Sequence, residues 1–339
     1  MFYIGLDVHA KQITVCVLDH HGQVHDRCQV RQITQLLARL EQIDGPFAVC
    51  FEASTGYGHL FELLSKIATR VVVAHPGLLR LIYRSKHKND RNDALKLAKL
   101  LYVGEVPAVH VPSAEVRAWR ELITFRHRLI EQRTRTKNGI RALLRTVGVS
   151  APRRPALWTK AGLAWLRALE FVQPLQALKR AMLLNALEGA NRDLALVERE
   201  LERWAGHQTA VRQFRSIPGV GPRTAEAVAA FLDDPHRFAH SKQVGAYFGL
   251  VPRQDQSGNA NRLGHITRDG SATTRQLLTE AAWQAVRRSP TVRRYFERIH
   301  RGDPDRRKIA LLATAHDLVR VMWSMWKHGT VWREPPQAA

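Results

Sequence analysis

The 339-residue sequence predicts an α/β N-terminal domain, a long helical connector and a mainly α-helical C-terminal domain. Three observations carry that reading. Short β-rich runs separated by turn residues crowd the first 75 residues, two long stretches in the middle repeat apolar residues at helical spacing, and a Gly-Pro turn between helical segments opens the last third. The implied boundaries are 1–110, 111–210 and 211–330, with a short tail over 331–339.

In the first segment FYIGLDV (2–8), ITVCVLD (13–19) and GQVHDRCQV (22–30) read as consecutive hairpin strands. ITQLLARLEQI (33–43) has helical spacing, and FAVCFEA (47–53) and RVVVAH (70–75) are short enough to be buried strands, with a helix near 58–67 between them. Three antiparallel strands followed by alternating helix and strand is the order of an RNase H-like fold. From Ser113 to about Arg145 the chain reads as one long basic helix, ended by Pro152 and Pro155. A second long helix covers 174–205, with Leu175, Leu178, Met182, Leu194, Val197 and Leu201 on one stripe. The two stripes fit a helical hairpin, a coiled coil that joins two chains, or an ordinary intramolecular bundle.

Composition narrows the class of function. Hydrophobic residues at 45% and charged residues at 24% exclude a disordered or fibrous chain. Lys and Arg number 52 against 30 Asp and Glu, a net charge of +22 that calls for a polyanionic partner, nucleic acid above all. The excess is uneven: +3 over 1–110, +11 over 111–216 and +8 over 217–339. Cys16, Cys28 and Cys50 form no CxxC, which speaks against a disulfide scaffold or a cysteine zinc site. The start MFYIGLDVHAK lacks the pattern of a signal peptide, and no apolar run reaches the ~20 residues of a membrane span. A cytoplasmic, nucleoid-associated protein is the expectation.

Four carboxylates stand out. Asp7 closes the first apolar strand and Glu52 closes FAVCFE, while Asp90 and Asp93 open the helix of KHKNDRNDALKLAKLL, three residues apart on one face. Singly, each reads as a helix cap or a solvated strand end. Together they are oxygen donors able to hold two divalent metals roughly 4 Å apart, the arrangement that activates one oxygen and stabilises another in phosphodiester transfer.

The last third adds two elements. RSIPGVGPRTA (215–225) matches a helix-hairpin-helix turn, in which Gly219 and Gly221 leave backbone N–H groups open to phosphate and Arg223 adds a charged contact. Residues 242–283 have a polar, glycine-containing, loop-like centre around Ser257-Gly258, with Arg253, Arg262, His265 and Arg268 close in sequence. A serine so placed can attack phosphate if a base takes its proton; His9, His265 and a metal-bound hydroxide all remain open for that role. Trp119, Trp165 and Trp204 read as core residues of helices, and the Arg-rich stretch 293–310 as a phosphate-facing surface.

The ordered set IGLD, FEAST, NDRND, IPGVGPRTA, AYFGLVPRQDQSG and GHITRDGSATTRQLL resembles bacterial insertion-sequence transposases of the DEDD type, the Piv-invertase relatives described as bridge-RNA-guided recombinases. The resemblance runs over essentially the whole chain, with no departure at the motif positions. It implies a RuvC-like N-terminal domain, a coiled-coil connector and a C-terminal transposase domain. It also implies that Asp7, Glu52, Asp90 and Asp93 bind Mg²⁺, two ions per composite site, and that Ser257 is the nucleophile forming a phosphoserine link to DNA. The partners implied are donor and target DNA, a noncoding guide RNA that supplies sequence specificity by base pairing, and further copies of the chain in a dimer or tetramer, with the active site assembled between subunits. Two other readings stand beside this one: a hydrolytic RuvC-like nuclease needing no serine, and a non-enzymatic nucleic-acid-binding protein.

Overall fold

The computed structural model describes residues 1–82, 90–257 and 260–334. The chain divides into two compact units, Met1–Arg117 and Ala118–Ala339.

The first unit contains strands β1 (Phe2–Val8), β2 (Ile13–Leu18), β3 (Val24–Val30), β4 (Phe47–Glu52) and β5 (Arg70–Ala74), with helices α1 (Ile33–Leu40), α2 (Tyr57–Leu64), α3 (Pro76–Ile82) and α4 (Asp90–Val103). The sheet order is β3-β2-β1-β4-β5, with β1, β2 and β3 antiparallel and β1, β4 and β5 parallel, consistent with the RNase H-like expectation. The tight β2–β3 connection comes from Asp19, whose carboxylate accepts the backbone N–H of His21 and Gln23, and from Gly22 at φ 74°. Strict alternation sorts the two faces. Ile4, Leu6, Phe47, Val49 and Phe51 pack with Leu36 and Leu40 of α1 and Leu60 and Leu64 of α2. The opposite face is lined by small residues, among them Gly5, Ala48 and Cys50, and is covered by α4.

The second unit comprises most of α5 (Ala114–Thr146), then α6 (Lys160–Ala168), α7 (Pro174–Gly206), α8 (Thr209–Arg215), α9 (Pro222–Leu232), α10 (Ser241–Tyr247), the hairpin β6 (Pro252–Ser257) and β7 (Ala260–Ile266), α11 (Ala272–Arg288), α12 (Pro290–His300) and α13 (Arg307–His328). Its main core joins α5, the C-terminal half of α7 and α8 to α13, around Phe214, Phe248, Leu278 and Met322. Trp119 is buried there as expected, whereas Trp204, with its ring 6.5 Å away, is exposed at the surface of α7 rather than in the core. A smaller core, with Ile140, Leu144, Leu157, Leu166, Leu184 and Leu187, ties the far end of α5 to α6 and α7.

Two expectations need correction. The stripe assigned to the second long helix is not continuous. Leu194, Val197 and Leu201 are buried, whereas Leu175, Leu178 and Met182 are 80%, 57% and 64% exposed. The buried row instead runs back through Ala190, Leu187 and Leu184, because the short helix α6, which the periodicity did not reveal, packs on that side of α7. The second correction concerns the region around Ser257, which is a two-stranded antiparallel hairpin, with Ser257 paired to Ala260, rather than a loop. β6, PRQDQS, is exposed at every position and so lacks the apolar alternation that marks a strand in a sequence.

Candidate active site

Strand register and one glycine set where the carboxylates of the first unit stand. In the parallel β1–β4 pair Leu6 lies opposite Phe51, so the next residues along are Asp7, the penultimate residue of β1, and Glu52, the last of β4. Neighbouring strands run about 4.8 Å apart. Alternation places both carboxylates on the face of Gly5, Ala48 and Cys50, which is the face under α4.

Helix α4 lies antiparallel to β1 on that face. Tyr102 near its end meets Tyr3 edge-on, with rings 5.2 Å apart, and Ala98 and Ala94 sit over Gly5. The approach is backbone to backbone: a Cβ on Gly5 would overlap the Ala94 carbonyl and lie 2.5 Å from the Ala98 nitrogen. Leu97 and Leu101 fill the space over Ala48, Cys50, Val72 and Ala74. Following the same line one step further, from Gly5 to Asp7, leads to the first turn of α4, where Asp90 and Asp93 stand. The side chain of Asp90 lies outside the described residues.

Each described acid is partly accessible. Asp7 is 15% exposed and lies 3.2 Å from His9 Nε2. Asp93 accepts a hydrogen bond from Lys96 Nζ at 2.8 Å, and Glu52 is exposed at its strand end. Among the described side chains no group of three is close enough to hold one metal ion. The donor chemistry nonetheless fits a hard divalent cation: carboxylate oxygens at two adjacent strand ends, with Asp93 in the helical turn that register leads to. Lys96 places a positive charge against Asp93, and His9 lies beside Asp7. Cys16 and Cys50 are buried on the same face, and burial pushes the Cys50 thiol up to about 12, so it packs as a small apolar group.

In the second unit Ser257 is exposed at the end of β6, and Arg253, Arg262, His265 and Arg268 are exposed on or just after the hairpin. Gly258 lies outside the described residues. The expected phosphate turn joins α8 to α9, and its three named residues behave differently. Gly219, at φ 96°, has a backbone contact of its own, since a Cβ there would lie 2.7 Å from the Ala285 Cα in α11. Gly221 caps α9 and has open space where a Cβ would stand. Arg223 turns away into the protein, hydrogen-bonding Glu202 and lying 2.9 Å from Glu226. Glu226 is fully buried among Leu201, Arg223, Arg126 and Leu277, and that burial, only partly offset by Arg223, raises its carboxyl to about 7. Sequence reasoning missed this buried pair and the part played by Gly5. Glu226 follows Arg223 by three residues on the small-residue face of α9, and an isolated glycine inside a strand is a recognised sign of close approach.

Comparison with known proteins finds transposases. A family model described as a transposase matches residues 4–148, and the model of the transposase IS116/IS110/IS902 family matches residues 211–297. A probable family 20 transposase of Pseudomonas aeruginosa is 29% identical over 97% of this chain and 98% of its own length. The transposase for insertion sequence element IS1111A of Coxiella burnetii is 31% identical over 84% of this chain and 78% of its own. That for IS1328 of Yersinia enterocolitica is 26% identical over 97% of both. These matches overturn the reading of a non-enzymatic binder. The chain belongs to the IS116/IS110/IS902 family of insertion-sequence transposases of the DEDD type, enzymes that cleave and rejoin DNA.

Proposed function

We propose that the chain recombines DNA through a covalent serine link, with the acids of the first unit binding the metal and Ser257 acting as nucleophile. The observation that supports it best is the register that brings Asp7 and Glu52 next in line at the ends of β1 and β4, on the face covered by α4. Membership of the family implies the use of divalent metal ions, generally Mg²⁺. Asp7, Glu52, Asp90 and Asp93 would hold it, and when bound it supplies charge neutralisation at the scissile phosphate. The Ser257 oxygen attacks phosphorus, forming a serine–phosphate ester as the P–O bond to the departing strand breaks. The serine proton passes to a base, and the departing oxygen takes up a proton. Attack by a strand hydroxyl on the phosphoserine then releases Ser257 and seals the new junction, conserving the bond energy. Arg253, Arg262 and Arg268 bind the phosphates flanking the serine, and the open backbone at Gly221 binds another.

In this reading 1–110 is a RuvC-like metal-binding domain, 111–210 the connector and 211–330 the transposase domain with its helix-hairpin-helix turn. A guide RNA pairs with donor and target DNA, so the protein holds backbone and shape, and the active site is shared between copies of the chain. The cationic 111–216 and 217–339 segments support that division of labour. The test is a denaturing gel of the protein with labelled element-end DNA, target DNA, Mg²⁺ and RNA transcribed from the element's flanks. A covalent DNA adduct formed by the wild type and lost in both Ser257→Ala and Asp7→Ala is expected. Cut ends without an adduct, persisting in Ser257→Ala, would replace serine chemistry with hydrolysis.

A further inference from the structure

Much of the chain's positive charge lies in a segment to which the chemistry proposed above assigns no residue. Residues 132–187 carry eleven Lys and Arg and one acid, Glu170, so this sixth of the sequence holds +10 of the total +22. The segment is the far end of the α5–α7 helical pair, with its own small core. Two of its cations have internal partners: Arg167 pairs with Glu188, and Arg180 donates to the carbonyls that end α6 and stacks on Phe171. The other nine have no carboxylate partner among the described residues.

Four of the nine, Arg133, Lys137, Arg141 and Arg145, follow one another at intervals of four along α5. That spacing puts successive charges on nearly the same side of the helix, where like charges repel. At 1.5 Å per residue the row is about 18 Å long, roughly five base steps of DNA. Arg133 and Lys137 are half-buried and Arg141 and Arg145 are exposed, so the row turns outward as it runs. Burial and the neighbouring Arg133 and Arg141 lower the affinity of the Lys137 amine for its proton, as expected of cations packed without a counterion. Lys137 and Arg141 lie over the Trp158 ring at 5.1 and 5.2 Å, which brings the exposed Lys160 segment against the row.

We propose that this end of the α5–α7 pair is a docking surface for the sugar–phosphate backbone of duplex DNA, built from residues that take no part in the chemistry. Crowded, uncompensated cations on a rigid helix match a regular line of phosphates. Unpaired bases are a poorer fit, because the Trp158 face toward α5 is already covered by Lys137 and Arg141. Among duplexes DNA is the occupant, because the family acts on DNA. The inference rests on that family membership and not on the serine mechanism.

The test is equilibrium binding of the full-length protein to labelled duplex DNA across a salt series, for wild type and for the combined variant Arg133→Gln, Lys137→Gln, Arg141→Gln, Arg145→Gln. Loss of four phosphate contacts is expected to weaken binding and to reduce the slope of log K against log salt by about 3 to 4. Replacing the three arginines by lysine should keep the wild-type slope. An unchanged slope in the glutamine variant overturns the proposal, as does a loss seen with hairpin RNA and not with duplex DNA. Circular dichroism checks folding; should the combined variant fail to fold, the exposed Arg145→Gln alone should lower the slope by about 1, and no change there also overturns it.

Discussion

The carboxylates and the serine sit on opposite kinds of support. Asp7 and Glu52 follow Leu6 and Phe51, which are almost wholly buried, and the helix over that face touches the sheet through main chain. Ser257 ends a strand that buries nothing, on a hairpin whose two large apolar side chains are Leu263, 65% exposed, and Ile266, half-buried at the far end of β7. A two-stranded hairpin by itself is at best marginally stable in water. The acids are therefore held by the core, while the serine depends on whatever comes to lie against the hairpin. Substitutions in the two places should differ accordingly.

The largest effect is expected for Gly5→Ala. The added methyl overlaps the α4 backbone and has no flexible side chain to displace, so the helix must lift. We expect a loss of about 3 kcal/mol or more in chemical unfolding, together with loss of metal-dependent DNA cleavage. Cleavage at the wild-type level in a folded Gly5→Ala protein would show that α4 does not position the acids.

A second pair sharpens the contrast inside the α8–α9 turn. Gly219→Ala meets the α11 backbone at a positive φ and should cost about 2 to 3 kcal/mol. Gly221→Ala meets nothing, so its thermal unfolding should shift by less than the equivalent of about 1 kcal/mol, while DNA affinity falls because the methyl stands where phosphate would. Equal stability losses at both positions would remove the distinction between a packing glycine and a binding one.

Glu226 offers a change in pH. Its carboxyl rises from 4.5 to about 7 in the folded chain because burial disfavours the charge. Between those values the folded state holds a proton that the unfolded state has lost, so stability from this group is full at low pH and declines as pH rises toward 7. The total is up to about 3 kcal/mol. Glu226→Gln should match wild type near pH 5 and unfold at a higher temperature near pH 8. A parallel pH dependence in the two proteins would mean that Glu226 stays ionised against Arg223.

The smallest effect belongs to the hairpin. Leu263→Gln removes an exposed side chain and should change stability by no more than about 0.5 kcal/mol. A large loss would mean that the hairpin is packed in the free protein after all.

The legibility of the chain in its sequence follows the same division. The strands of the first unit could be read almost residue by residue, because buried strands leave continuous apolar runs and their turns carry Asp and Gly. The acids were legible as strand-end and helix-start residues, but the reason α4 lies close enough was not, since a single glycine in FYIGLDV shows no partner until the sheet is seen. On the helices, periodicity marks an apolar stripe without saying what covers it. Leu175, Leu178 and Met182 looked like core and are exposed, because α6 took the other side of α7. Arg223 looked like a phosphate ligand because its nearest counterions, Glu202 and Glu226, are one helix or one turn away, and the buried partner decides. β6 was invisible to hydropathy because it has no buried face.

The meeting of α4 with β1 has a mechanical side. Where two elements touch through long side chains, rotamers give slack, and either element can roll or slide a little at small cost. At Gly5 the contact is between peptide groups, which do not yield in that way, and Tyr102 against Tyr3 braces the other end. The helix is keyed to the strand like a shaft in a slotted hub, with its height and azimuth set by covalent geometry, and its first turn can be moved only by deforming the sheet itself.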